Sequence, residues 1–168
     1  MYFGWALGQL GDDVQGIRRL EEGLAAYNQL GARNNLTFAI CLSAETYLMG
    51  RQYEKAMEQV NVALATSSEI GDRWSLPQIN MIRARILQET CSSADTAEAC
   101  VRTAIDVSQS QGAKGFELRA ATSLARLWRN QSKIQQAREL LAPVYGWFTE
   151  GFDTRDLKDA KGLLEEIA

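Results

Sequence analysis

The sequence predicts an all-α protein, a superhelix of stacked antiparallel helix pairs that ends in a C-terminal capping helix. Good helix formers dominate the composition, and only two prolines occur in 168 residues. Apolar residues recur at steps of three and four, as they do on one face of a helix. A glycine follows every second such run, at Gly31, Gly71, Gly112 and Gly151, which gives a period of 39 to 41 residues. A helix pair of this size cannot bury its apolar face alone, so successive pairs must stack.

These glycines mark the ends of the repeats, because glycine suits the left-handed residue that stops a helix. We therefore predict a single helical-repeat domain over residues 1–168. Its parts are a truncated first repeat at 1–31, full repeats at 32–71, 72–112 and 113–151, and a capping helix at 152–168. Because the array begins partway through a helix, the sequence also suggests a fragment of a larger protein.

Small and large residues come into register on the first helix of each full repeat. The pairs, three residues apart, are Ala44 with Tyr47, Ala84 with Leu87, and Ala125 with Trp128. A small side chain lets two helices approach closely, and the large one fills the space beside them. The sequence therefore predicts a close helix crossing at the same position in every repeat.

The predicted capping helix has an apolar side and a charged side, as a terminal cap requires. The apolar side is predicted from Leu157, Ala160, Leu164 and Ile167. The charged side, predicted to face solvent, carries Arg155, Asp156, Lys158, Asp159, Glu165 and Glu166. Either Asp153 or Thr154 can cap its N-terminus.

The two prolines are expected to have different effects. Pro143 lies about ten residues into a predicted helix, so it should kink that helix or end it early. Pro77 falls in a first helical turn, where proline is tolerated.

Composition argues against several classes of function. The chain has no histidine, which removes the usual Ser-His-Asp and Cys-His nucleophile systems and the mixed Cys/His zinc sites. Its net charge of −3 disfavours direct nucleic-acid binding. No apolar run is long enough for a membrane span, and the N-terminus does not resemble a signal peptide. We expect a cytoplasmic protein without catalytic residues, cofactor or metal.

Three cysteines, Cys41, Cys91 and Cys100, are interpreted as reduced thiols packed on helices. A redox pair of Cys91 and Cys100 is the alternative. The glycine-rich run Gly4, Gly8 and Gly11 lacks the strand and the Lys-Ser/Thr of a phosphate loop, so it indicates a helix crossing instead.

The chain resembles tetratricopeptide repeats of the longer kind, with about forty residues per repeat. It is most similar to the C-terminal repeat regions of bacterial class III adenylate or guanylate cyclases and of predicted signal-transduction ATPases. The segments that carry the resemblance are Gly4–Leu7 (GWAL), Gly23–Tyr27 (GLAAY), Ala97–Cys100 (AEAC), Gln111–Lys114 (QGAK), Glu117–Trp128 (ELRAATSLARLW) and Leu141–Asp153 (LAPVYGWFTEGFD). The segment Gln78–Arg85 (QINMIRAR) departs from the family, which tends to place Glu and Arg there. The resemblance implies a regulatory or scaffolding role in a cytoplasmic signalling protein.

The best candidate for a binding surface is the inner face of the superhelix, lined by the first helix of each pair. The predicted inward-facing residues are Glu45, Met49, Arg85, Gln88, Glu89, Arg119, Arg126 and Arg129. Four arginines on one lining could bind a peptide carboxylate or an acidic segment. The expected partner is a protein or peptide, or upstream domains of the same chain.

Three alternatives stay open. The inner face could be hydrated and bind no ligand. The exposed first half-repeat could form a homodimer. The concave face could bind a small ligand, as a sensor domain does. Among the four tryptophans, mostly expected in the core, Trp74 is a further candidate for ligand contact because it lies in a predicted turn.

Overall fold

The computed structural model describes residues 1–31, 33–90 and 94–168. Within these ranges it contains nine α-helices. They are α1 (Tyr2–Gln9), α2 (Asp13–Gln29), α3 (Leu36–Met49), α4 (Tyr53–Ile70), α5 (Leu76–Glu89), α6 (Ala94–Ser110), α7 (Lys114–Asn130), α8 (Ile134–Gly146) and α9 (Arg155–Glu166). The predicted all-α class is confirmed.

The helices pack as successive pairs, α1 with α2, α3 with α4, α5 with α6, and α7 with α8, and α9 continues the row. We call α1, α3, α5, α7 and α9 the inner helices and the other four the outer helices. Each inner helix contacts the next inner helix, whereas the backbones of outer helices do not approach one another in this way within the described ranges. Because spacing is tighter on the inner side, the row curves, and the inner helices form its concave face.

Left-handed glycines follow α2, α4 and α6 where the sequence predicts them. The prediction is wrong for Gly151, because α8 ends at Gly146 with Trp147 as its C-cap, and Gly151 lies in the connection to α9. The φ angles of Gly31, Gly71, Gly112 and Gly151 lie between 62° and 75°. At the turn between α3 and α4 the left-handed residue is Arg51, with φ 55°, although glycine precedes it. Gly50 has another role, because a Cβ atom there would lie 2.9 Å from Cδ1 of Ile17 on α2, so the Ile17 side chain would have to shift.

The core forms two clusters that share α5. One joins residues of α3, α4 and α5, including Ile79, Ile82 and Ile86. The other runs from Ala84 of α5 through α6, α7 and α8 to α9. The aligned small residues Ala44, Ala84 and Ala125 are all buried to 1% exposure or less. Stacking, rather than one central core, therefore holds the row together.

The first pair is joined by an unusually close crossing. A Cβ atom on Gly4 would lie 2.6 Å from the carbonyl oxygen of Gly16 and from the backbone nitrogen of Leu20. A Cβ atom on Gly16 would in turn lie 2.9 Å from the backbone of both Gly4 and Gly8. Gly4 and Gly8 are buried in α1 and belong to a helix crossing, as predicted. The prediction is wrong for Gly11, which follows α1 with φ 89°, is exposed, and would have no neighbour within 4 Å of an added Cβ atom.

The C-terminal elements follow the prediction with two differences. Helix α8 contains Pro143 and has 13 residues, whereas α4 has 18, so proline does accompany an early end. Pro77 lies in the first turn of α5, as expected. The first difference is that Leu163, which the prediction left out, is buried on α9, whereas the predicted Leu164 packs against the same core cluster but is only partly buried. The second is that the hydroxyl of Thr154, the N-cap residue of α9, donates to the carbonyl of Gly151 at 2.7 Å and caps no helix amide.

Candidate functional site: the concave groove

An open groove of about 920 Å³ runs along the concave side. All five inner helices contribute to its walls, and we call it the concave groove. Its lining residues are Tyr2, Trp5, Gln9, Phe38, Leu42, Glu45, Met49, Trp74, Gln78, Met81, Ile82, Arg85, Phe116, Arg119, Thr122, Ser123, Arg126, Thr154, Arg155, Asp156 and Asp159.

Five of the eight residues predicted to face inward line this groove: Glu45, Met49, Arg85, Arg119 and Arg126. The lining follows one stripe on each inner helix, and equivalent positions such as Glu45, Arg85 and Arg126 recur once per repeat. The stripe contains steps of three residues, such as Ser123 to Arg126, and of four residues, such as Glu45 to Met49. Helical periodicity therefore predicts which face borders the groove but not where along each helix the groove ends.

Gln88, Glu89 and Arg129 lie outside the lining. These three residues lie beyond the groove-lining positions, in the last turns of α5 and α7, and Gln88 and Glu89 are exposed. The hydroxyl of Tyr53 lies 3.5 Å from Glu89 Oε2. Arg129 forms an ion pair with Glu166 near the end of α9.

Aromatic residues form a ladder at one end of the groove. The ring of Phe38 lies between those of Tyr2 and Trp74, with centroids 6.3 Å and 5.2 Å away. Tyr2 is 60% exposed and Trp74 42% exposed, so apolar area remains open to a partner. Trp74 was a candidate for ligand contact because it lies in a predicted turn. Tyr2 and Phe38 were missed because helical periodicity alone does not distinguish a groove wall from other exposed positions.

Glu45 joins three inner helices near the aromatic ladder. The indole nitrogen of Trp5 on α1 donates to Glu45 Oε2 at 2.9 Å. Arg85 on α5 places Nη1 3.6 Å from Glu45 Oε1. Because the side chain of Glu45 is only 15% exposed, these two contacts hold the groove wall together and leave little charge open to a partner.

Arginines and carboxylates form a second ladder at the opposite end. Arg119 of α7 contacts Asp156 of α9 at 2.6 Å, and Arg126 lies 3.6 Å from Asp159. Arg119 also lies over the ring of Phe116, with Cζ 5.5 Å from the centroid. Asp156 and Asp159 are exposed to solvent by 36% and 48%, as expected of the charged side of the capping helix. The sequence did not predict that they border the groove, which follows from α9 stacking on α7 as the next inner helix.

The charges of the groove are unequally matched. Its walls hold four arginines and three carboxylates, although the whole chain is negative. Arg85, Arg119 and Arg126 have acidic partners, whereas among the described residues no carboxylate lies within ion-pair distance of Arg155. The α7–α9 end therefore has an excess of positive charge.

Buried groups elsewhere support the fold rather than a reaction. Burial, reinforced by Asp72 and Glu45, raises the pKa of the Cys41 thiol to about 12, and burial raises the pKa of Cys100. These thiols are therefore protonated at neutral pH and poorly reactive. Cys91 lies outside the described residues, and with it the predicted pairing with Cys100. No cluster of three potential metal-ligating side chains is present in the described ranges.

Comparison with solved structures identifies the architecture. The chain superposes on TPR-like repeats assigned to a kinesin light chain of Podosopora anserina with a TM-score of 0.72, at 17% identity, covering 99% of this chain and 82% of that one. A single-substitution variant of the same repeats gives 0.73 at 16% identity, with the same coverage. This chain has the tetratricopeptide-like repeat fold. At this level of identity the likeness concerns the fold alone.

Comparison of the sequence with other proteins finds a distant similarity. No protein-family model matches the chain. An uncharacterized protein of Rhizobium meliloti is 28% identical over 127 residues, which cover 76% of this chain. The match spans 12% of the length of that protein. In the described part of this repeat domain, no helix combines the length and apolarity needed to cross a membrane.

Proposed function

We propose that this tetratricopeptide-like domain is a protein-interaction module whose concave groove binds an extended, acidic peptide segment of a partner. The observation that carries the proposal is the groove itself, continuous over five inner helices, with aromatic rings at one end and excess arginine at the other.

The chemistry of the two ends supports this choice of partner. Half-exposed arginine guanidinium groups bind carboxylates with paired, charge-assisted hydrogen bonds. The exposed faces of Tyr2 and Trp74 offer apolar contact area to a large side chain. In addition, the side-chain oxygen of Gln78, on the groove wall, is buried without a hydrogen-bond partner. This acceptor is therefore available to a hydrogen-bond donor of a bound peptide if the side chain turns toward the groove.

The length of the groove suggests the length of the segment. Five helices packed about 9 Å apart span about 36 Å. An extended chain covers that distance with about eleven residues. Two labelled peptides of this length define the test: an acidic probe with several glutamates and two leucines, and a neutral probe in which glutamine replaces each glutamate.

Charge reversal in the groove should abolish most of this binding. We expect Arg119→Glu with Arg126→Glu to weaken binding of the acidic probe at least about tenfold, because two charge-assisted contacts of about 1 kcal/mol each become repulsive. Fluorescence anisotropy titration measures the effect. Arg129→Glu is the matched control, since its ion pair with Glu166 lies outside the groove, and it should bind like the wild type.

Two results would contradict the proposal. Equal affinity for the acidic and the neutral probe would show that arginine does not select the partner. Unchanged affinity in the double charge-reversal variant would place the binding surface elsewhere.

Homodimerisation is a second candidate, favoured by exposed apolar side chains in the first helix pair. Phe3, Leu10, Val14 and Leu30 are 66% to 84% exposed, and such area often marks an interface. On this hypothesis light scattering gives twice the monomer mass of 18.7 kDa, and Leu10→Glu with Val14→Glu restores the monomer. A monomeric wild type at micromolar concentration would rule it out.

The role of the parent protein is a further part of the proposal. We infer a regulatory or scaffolding domain in a cytoplasmic signalling protein of the cyclase or ATPase type, on the sequence resemblance alone. Upstream domains of the same chain are then candidate partners for the groove. The alternative of a small-ligand sensor would be supported by a ligand-dependent rise in melting temperature.

A further inference from the structure

Two aspartates in the first two turns of α9 form ion pairs with arginines that the proposed partner would need to bind. Asp156 and Asp159 both line the groove, and each contacts an arginine of α7. We propose that these two aspartates are a built-in competitor for the anionic partner and so set the selectivity of the groove, an inference that rests on the function proposed above.

The aspartates are not required to hold α9 in place. Helix α9 is anchored by Leu157, Ala160, Leu163 and Ile167, each at most 4% exposed. In contrast, the side chains of the two ion pairs are between 36% and 48% exposed. Pairs this open to solvent add little to stability. Their main effect therefore falls on charged molecules that enter the groove.

The spacing of the charges makes the two contacts unequal. Arg119 and Arg126 are seven residues apart, about 10.5 Å along α7, whereas Asp156 and Asp159 are three residues apart, about 4.5 Å along α9. Both pairs cannot be directly opposed, and the observed distances are 2.6 Å and 3.6 Å. The position on α9 that corresponds to Arg126 is that of Leu163, which is buried. Arg126 is thus the more loosely held arginine, and Arg119 the more firmly occupied one.

This arrangement favours partners with several anionic groups. A partner with one carboxylate exchanges one ion pair for another and gains little. A partner with several can engage Arg126 and the unpaired Arg155 first, and then displace Asp156 from Arg119. The competitor thereby raises the threshold of negative charge that a segment must carry.

The test measures binding of the acidic probe to variants of the full chain. We expect Asp156→Asn with Asp159→Asn to bind the acidic probe about tenfold more tightly than the wild type, with a smaller gain at high salt. Asp156→Asn alone should give a larger gain than Asp159→Asn alone. The matched control is Glu166→Gln, which frees Arg129 outside the groove and should leave the affinity unchanged. Circular dichroism should show wild-type helix content in every variant.

The possible outcomes distinguish failure of the proposed competition by Asp156 and Asp159 from failure of the proposed groove function. If the wild type binds the acidic probe through Arg119 and Arg126 but the asparagine variants bind no more tightly, the competitor idea fails and the groove function stands. If Glu166→Gln raises affinity as much as the double variant, the effect is one of net charge, and the inference also fails. If no variant prefers the acidic probe to the neutral one, the proposed function itself fails.

Discussion

Replacing Leu124 by alanine is expected to lower the free energy of unfolding by about 3 to 4 kcal/mol, the largest effect of any single substitution considered. Leu124 is 1% exposed and lies in the core cluster that joins α5 to α9. Truncation removes buried apolar atoms and leaves a cavity that close-packed neighbours fill incompletely. Urea denaturation followed by circular dichroism gives the free energy.

The location of the destabilisation caused by Leu124→Ala along the row of helices is a second expected result. In a stacked row each pair contacts only its neighbours, so a defect acts mainly on adjacent pairs. Hydrogen exchange should therefore show the greatest loss of protection in α6 to α8 and a smaller loss in α3 and α4. Leu30→Ala is the matched control, because Leu30 is 81% exposed and its truncation should change stability by less than about 0.5 kcal/mol. Equal loss of protection in all helices would indicate a single closed core instead.

Replacing Gly16 by valine is expected to destabilise the domain by about 3 kcal/mol, through displacement of α1. Even the Cβ atom of the new side chain would lie 2.9 Å from backbone atoms of Gly4 and Gly8, and backbone cannot move aside as a flexible side chain can. Because α1 supplies Tyr2 and Trp5 to the groove, its displacement should also weaken binding of the acidic probe.

The matched control for this substitution is Gly115→Val on α7. A Cβ atom on Gly115 has no neighbour within 4 Å, so the control tests the change of helix propensity without the collision. Thermal denaturation and limited proteolysis near residues 1–12 measure the effect. A melting temperature for Gly16→Val equal to that of the control would show that α1 and α2 do not cross so closely.

The fold could be predicted from the sequence because its determinants are local and periodic. The glycines that follow α2, α4 and α6, which are Gly31, Gly71 and Gly112, adopt a left-handed conformation that other residues adopt with difficulty. The aligned Ala44, Ala84 and Ala125 recur because every repeat repeats the same crossing. Such signals are visible in a single sequence, since they depend on neighbours within one repeat.

The groove could be predicted only in part, because it depends on contacts between repeats. Glu45, Arg85 and Arg126 were found by counting from the aligned alanines. The pairing of Arg119 with Asp156 spans 37 positions and follows from how α9 stacks on α7, which periodicity within one helix does not encode. For the same reason the contact between Phe38 and Trp74, which joins two successive predicted repeats, could not be anticipated.

Binding of an acidic segment in the concave groove is tested most directly by titrating the ¹⁵N-labelled protein with the acidic probe and observing the four tryptophan indole signals. Trp5 and Trp74 line the concave groove, whereas Trp147 is 58% exposed and lies outside its lining. Binding in the groove predicts that the signals of Trp5 and Trp74 shift in a saturable way while the signal of Trp147 stays in place. A shift of Trp147 with Trp5 and Trp74 unmoved would contradict the account.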